Sequence, residues 1–352
     1  MNKDSRIYVA GHNGLVGSAI VRELEGRGYG NVFCKPKRDF GNNNHRPDLR
    51  GSACQKTIYT IKPEYIFMCA AHAGGIQEAI DHPASMLVDN MLMIGNVFRY
   101  AHKYGVKKLI NFGSSCIYPV DGPQPYKESQ IGEGKTDENW AYAISKIGGV
   151  ELCRSYNRQY GSNFLSVVPC NVFGPNDNFD PGTSHVIPAL IRKLQEAKEK
   201  RDIYVNIWGT GEPRREFIYS DDLASITVSL MEHVDYDDID GVINVGIGGD
   251  ITIYKLALLI ASVVYPGAVI LRDFDAPNGV SSKLLDISKM RQWGYKAETP
   301  LKEGIEKAYA DYLTHYKSIP SPEDSGRSLP ATDDVREHET CLEGSSGCGN
   351  RC

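Results

Sequence analysis

Tyr142 and Lys146 stand four residues apart in Tyr142-Ala143-Ile144-Ser145-Lys146, and Ser114 and Cys116 precede them in the run GSSCIYP at 113–119. On a helix, positions i and i+4 share a face, so the phenol and the ammonium would point the same way. An ammonium beside a phenol stabilises phenolate, which predicts a Tyr142 pKa drawn below that of a free tyrosine. With a serine hydroxyl nearby, such a set can pass a proton to a carbonyl oxygen while a hydride reaches its carbon. Cys116, two residues past Ser114, points to a second chemistry in the same pocket.

Such a pair needs elements that hold it beside a hydride donor. Ser5–Ala10 is a short apolar run with the pattern of a strand, followed at once by Gly11-His12-Asn13-Gly14-Leu15-Val16-Gly17 and a helical pattern. Strand, glycine turn and helix come in the order a dinucleotide needs. Gly11 permits the tight turn, Gly14 lets the backbone approach a pyrophosphate, Gly17 allows close helix–strand packing, and His12, Asn13, Leu15 and Val16 complete the candidate cofactor segment. About twenty residues on, Val32-Phe33-Cys34 leads into Lys35-Pro36-Lys37-Arg38. Lys37 and Arg38 would attract a ribose 2′-phosphate, which favours NADP(H) over NAD(H), with Asp39 as the opposing acid.

The apolar runs Glu64–Ala71 and Lys108–Gly113 predict buried strands, with a helical pattern over Asn90–Tyr104 between them. Strands alternating with helices imply an α/β fold, a Rossmann-type doubly wound parallel sheet. Ligands on such sheets sit at the carboxyl ends of strands, where Ala71–Gly75 and Ser114–Cys116 fall.

Composition narrows the class. The 352 residues are 41% apolar and carry a net charge of −5, which suits a soluble globular protein and argues against nucleic acid or an anionic membrane as the main partner. No stretch reads as a membrane span or a signal peptide, and nine cysteines without a secretion signal point to reduced thiols in the cytoplasm. The segment from 318 to 352, rich in Ser, Gly, Pro and charge, predicts a disordered tail. Its Cys341, Cys348 and Cys352, with His338, fit no standard zinc spacing, so no metal is expected.

Strict strand–helix alternation lapses after Asn171-Val172-Phe173-Gly174-Pro175. Residues 1–175 and 219–246 form the expected cofactor lobe, and 176–218 with 247–317 a smaller α/β substrate lobe. In the latter, Ser184-His185-Val186-Ile187-Pro188 opens a helix that carries Lys193, and Val205–Phe217 predicts a strand and turn ending in Arg214-Arg215. Trp208 and Arg215 suit a nucleotide: an aromatic surface for the base or ribose, and a guanidinium fork for a diphosphate.

Together AGHNGLVGSAI, NFGSSCIYP, YAISKIGGVELCRSYNRQYG, PNDNF, SHVIPAL, WGTGEPRREF and KLLD resemble the extended short-chain dehydrogenase/reductases over about residues 7–312. Within that family the likeness is to the epimerase-reductases that act on GDP-4-keto-6-deoxy-D-mannose and yield GDP-L-fucose. The resemblance implies Ser114, Tyr142 and Lys146 as the reductase set and Cys116 with His185 as the epimerising pair. It implies substrate contacts at Lys193, Trp208 and Arg215. It also implies cofactor contacts at Phe112, Gly113, Ser114, Ser115, Tyr142, Lys146, Pro169, Cys170, Asn171, Val172 and His185. The implied partner is a GDP-linked keto-sugar, and the implied assembly is a homodimer built on the helices around 90–104 and 141–160. The chain departs from the family at Asn13, usually Arg, and at Ala73, Asn278 and Ser282. These changes cluster where sugar and nucleotide would be recognised, so C4 reduction or epimerisation of a related sugar such as a GDP-heptose is an alternative.

Overall fold

The computed structural model describes residues 1–34, 48–74, 76–136, 140–276 and 278–315. Lys37, Arg38 and the tail from 318 lie outside the described residues. The first part of the chain runs β1 (Ile7–Ala10), α1 (Leu15–Gly26), β2 (Val32–Phe33), α2 (Ser52–Ile61), β3 (Tyr65–Met68), α3 (Ile76–Asp81), α4 (Pro83–Lys103), β4 (Lys108–Phe112), α5 (Trp140–Tyr160), β5 (Asn163–Pro169) and β6 (Asn171–Phe173). Next come α6 (Val186–Lys200), β7 (Tyr204–Trp208), β8 (Arg214–Arg215), β9 (Phe217–Tyr219), α7 (Ser220–His233), α8 (Tyr236–Ile239) and β10 (Val242–Val245). The last part holds β11 (Ile251–Thr252), α9 (Ile253–Val264), β12 (Val269–Asp273), β13 (Ser282–Lys283), α10 (Ser288–Gln292) and α11 (Leu301–His315).

Six strands form one sheet in the order β10-β5-β4-β3-β1-β2, every pair parallel. Every residue of β1, β4 and β10 is buried, as expected of strands covered by helices on both faces. Lys108 keeps its place in β4 because its Nζ donates to the carbonyls of Leu230 (2.9 Å), Met231 (3.0 Å) and Val234 (2.5 Å) at the negative end of α7. The strand order reverses direction between β1 and β3, which places a ligand crevice beyond their carboxyl ends.

The expected helix over Asn90–Tyr104 begins earlier, at Pro83. Proline suits a first helical turn, where its missing N–H has no intrahelical partner to lose. The expected strand and turn at 205–217 does not fold back on itself. β7 pairs in parallel with β12, while β8 joins β11 and β13. A core containing Phe173, Phe179, Ile191, Leu194, Leu256, Ile260 and Ile305 lies beneath these smaller sheets.

Candidate active site

The glycine turn after β1 is shaped by contacts that no larger residue could make. Gly11 has φ +85°, and a Cβ there would lie 2.7 Å from the Ala70 nitrogen; a Cβ on Gly17 would lie 2.2 Å from the Gly11 oxygen. Gly14 caps α1 without a side-chain hydrogen bond, and no acidic residue stands in the first turn. The first N–H groups of α1 therefore face a site of positive potential with no competing carboxylate, which fits a dinucleotide pyrophosphate. His12, Asn13, Leu15 and Val16 lie in this turn or at the start of α1, with Asn13 exposed.

The same sheet edge carries the segments after β3, β4 and β5. Phe112 ends β4, Gly113 follows, and Ser114 then caps a 3-10 turn over Ser115–Ile117 in which Ser115 and Cys116 are buried. The Ser114 Oγ accepts the Cys116 N–H at 3.5 Å. Pro169 and Cys170 are buried at the end of β5, followed by the half-buried Asn171 and Val172.

From α5, Lys146 reaches under this edge with 3% exposure and donates to the Phe112 carbonyl at 2.9 Å. Its Nζ is 5.4 Å from the Tyr142 ring centroid, so the two share the helix face their spacing requires. The expected fall in the Tyr142 pKa is overturned. Burial, with a smaller contribution from the Cys116 charge, raises the phenol well above its ordinary value. Desolvation also pushes Lys146 down to about 8, opposed by Cys116 and Cys69. At neutral pH the pair is a phenol and an ammonium, because removing both from water outweighs their mutual attraction. The electrostatic influence of Cys116 on both groups brings the thiol into their site.

His185 caps α6 at Val186, exposed to solvent yet with enough protein around it that desolvation lowers its pKa. A residue on the wall of an open crevice has both properties. On α6, Lys193 donates to the Asn206 carbonyl at 2.8 Å. Trp208 is 56% exposed and pairs in register with Asp273, whose carboxylate acts on Lys193, so these two candidates share one end of β7. Arg215 lies in the three-stranded sheet of β11, β8 and β13, opposite Ile251 and Lys283. Asn278, one of the departures, receives the Thr210 N–H at 2.7 Å and hydroxyl at 2.8 Å, and so holds the turn after Trp208.

Two residues at the crevice escaped the sequence reading. Asn90, 1% exposed, accepts the His72 N–H at 2.7 Å and donates to the His72 carbonyl at 2.9 Å, which fixes the segment after β3. Glu216, wholly buried, binds three backbone N–H groups. An isolated polar residue in a helix or a charged one beside two arginines has no spacing signature; only the fold reveals it.

Residues 7–246 match the family model described as the NAD dependent epimerase/dehydratase family. The chain belongs to that family. It is 39% identical over 316 residues to a GDP-L-fucose synthase of Escherichia coli K12, covering 88% of this chain and 96% of that protein. Among solved structures, a GDP-6-OMe-4-keto-L-xylo-heptose reductase from C. jejuni has a TM-score of 0.81 at 33% identity, covering 89% of this chain and 99% of that one. A GDP-L-fucose synthetase from Naegleria fowleri bound to NADP has a TM-score of 0.80 at 26% identity, with 90% and 97% covered. The parallel six-stranded sheet with flanking helices is the architecture that this family membership implies. Among the described residues no helix is long and apolar enough to cross a membrane.

Proposed function

We propose that this protein is an NADP(H)-dependent epimerase-reductase that converts GDP-4-keto-6-deoxy-D-mannose to GDP-L-fucose. The observation that carries the reading is Cys116, buried and electrostatically coupled to Tyr142 and Lys146, in a chain whose curated relative is named for this synthesis. Lys37 and Arg38 would hold the 2′-phosphate, and the α1 N-terminus the pyrophosphate. NADPH, when bound, supplies the hydride.

A C4 ketone acidifies the protons at C3 and C5, so a base on one face and an acid on the other can invert each centre. Cys116, buried in the turn after β4 beside Ser114, removes these protons. His185 returns a proton from the opposite face. Tyr142, kept as a phenol by burial, then protonates the oxygen developing at C4 while Ser114 hydrogen-bonds the same oxygen. Lys146, anchored on the Phe112 carbonyl, holds the nicotinamide ribose. Lys193, Trp208 and Arg215 bind the nucleotide and diphosphate. Incubation with GDP-4-keto-6-deoxy-mannose and NADPH in heavy water, followed by NMR, tests the reading: it requires NADPH consumption and deuterium at C3 and C5.

A second reading, C4 reduction of a GDP-linked heptose, draws on the departures at Ala73, Asn278 and Ser282 and on the likeness to the C. jejuni reductase. It requires reduction with C3 and C5 unlabelled.

The protein is further proposed to act in the cytoplasm as a homodimer. α4 exposes Val88, Met91 and Leu92 on one face, and α5 exposes Trp140. Met91→Glu should shift the sedimentation coefficient toward that of a monomer.

A further inference from the structure

Glu216 carries a carboxylate with 0% exposure, directly after Arg215. Its Oε1 accepts the N–H groups of Ile247 (2.6 Å) and Gly248 (2.7 Å), and its Oε2 accepts that of Leu285 (3.1 Å). Its own carbonyl accepts the Asn171 N–H at 3.2 Å and the Asn171 side-chain amide at 2.8 Å. A Cβ on Gly246 would stand 2.4 Å from Oε1, so a glycine is required for the approach. A buried carboxylate costs several kcal/mol in lost hydration unless its oxygens are bonded, and here backbone donors fill that role.

Two of these ties, to Asn171 and to Leu285, lead toward the candidate site. Asn171 opens β6, just past the carboxyl end of β5. Leu285 lies two residues beyond Lys283, which pairs in register with Arg215. Its neighbour Leu284 accepts the Tyr126 N–H at 2.8 Å and donates to the Gln124 side chain at 2.9 Å. Tyr126 stacks on Tyr118 at 5.0 Å and 7°, and Tyr118 follows Cys116 by two residues. The carboxylate is therefore a joint between the strand bearing Arg215 and the segment bearing Ser114 and Cys116.

We propose that Glu216 is a positioning residue that sets Arg215 in register with the Cys116 segment, so that holding the diphosphate also places the sugar. This rests on the nucleotide-sugar reading above. A neutral amide of the same shape would turn an N–H₂ toward one of the N–H donors and release one side of the joint.

The test compares the full chain with Glu216→Gln, Arg215→Ala and the double variant, titrating GDP and NADPH separately by calorimetry and measuring KM and kcat. Glu216→Gln should weaken GDP binding and raise the sugar KM by about tenfold, while NADPH affinity stays within about twofold. The double variant should bind GDP no worse than Arg215→Ala alone, since both changes remove one interaction. Unchanged GDP affinity, a parallel loss of NADPH affinity, or additive losses would each overturn the proposal. If Glu216→Gln does not fold, Gly246→Ala displaces the carboxylate without removing it; the same selective loss is expected, and intact GDP affinity overturns the proposal. Wild-type protein that binds GDP but turns over no GDP-keto-sugar overturns the reaction reading and leaves the coupling to be decided by the GDP titration. Wild-type protein that does not bind GDP overturns both.

Discussion

The ammonium of Lys146 sits 5.4 Å from the ring centre of Tyr142 but spends its hydrogen bond on the Phe112 carbonyl at 2.9 Å. The lysine is thus tied to the strand that delivers Ser114 and Cys116, and its effect on the tyrosine is positional more than acidifying. Desolvation brings Lys146 to about 8. It is charged below that pH and neutral above it, so kcat should fall as pH rises through about 8. Lys146→Met should remove that alkaline limb and lower turnover by roughly 10²- to 10⁴-fold. A wild-type profile flat from pH 7 to 9 would contradict this assignment.

The two chemistries should separate genetically. Tyr142→Phe removes the proposed C4 proton donor and is expected to slow NADPH oxidation by roughly 10²- to 10⁴-fold while deuterium still enters C3 and C5. Cys116→Ser should do the reverse, suppressing exchange while sparing reduction of a pre-epimerised ketone. Equal loss of both signals in both variants would mean that the residues do not divide the work.

Asp177 gives a stability prediction. It is 5% exposed; its Oδ1 accepts the Asn178 N–H at 2.8 Å, and its buried Oδ2 has no partner among the described residues. Burial, with a smaller contribution from Asp311, raises its pKa to about 7. The folded state therefore holds this proton more tightly than the unfolded chain, whose carboxylate titrates near ~3.9. The stabilisation is fully present below about pH 4 and is lost as pH rises through about 7. Asp177→Asn should accordingly stabilise the protein by roughly 4 kcal/mol at pH 8 and much less at pH 5. Urea unfolding at the two pH values measures this, and an identical pH slope in wild type and variant would refute it.

Gly17→Ala places a methyl 2.2 Å from the Gly11 oxygen and 2.8 Å from the His12 Cα. Since those atoms are backbone, the turn must move. The expected result is a loss of NADPH affinity of at least about tenfold, read by fluorescence titration, with affinity for GDP preserved.

The parallel sheet was legible because β1, β3 and β4 are near-continuous apolar runs and because the glycines at 11, 14 and 17 have a spacing with a mechanical meaning. The Tyr142–Lys146 face was legible from its spacing of four. The ionisation of that pair was not, since it depends on how much protein surrounds α5, which no local pattern encodes. Nor was the separation of β7 from β8 into different sheets: the turn at Gly209-Thr210-Gly211 has the composition of a hairpin, yet Asn278, some seventy residues away in the chain, holds it. Asn90 and Glu216 bind backbone atoms far from them in sequence, so nothing around either one announces the partner.

The grip of Asn90 on residue 72 uses only main-chain atoms, the N–H and the carbonyl. The path of the chain at the mouth of the crevice is thereby held without reference to the side chain at 72, where this protein carries an imidazole paired with Glu78 at 3.1 Å. The same ring faces Asp89 at 3.5 Å, so side chain and backbone at this position are held by separate sets of partners. Exchanging the side chain at 72 would therefore break its pairs with Glu78 and Asp89 and leave the Asn90 grip on the backbone in place.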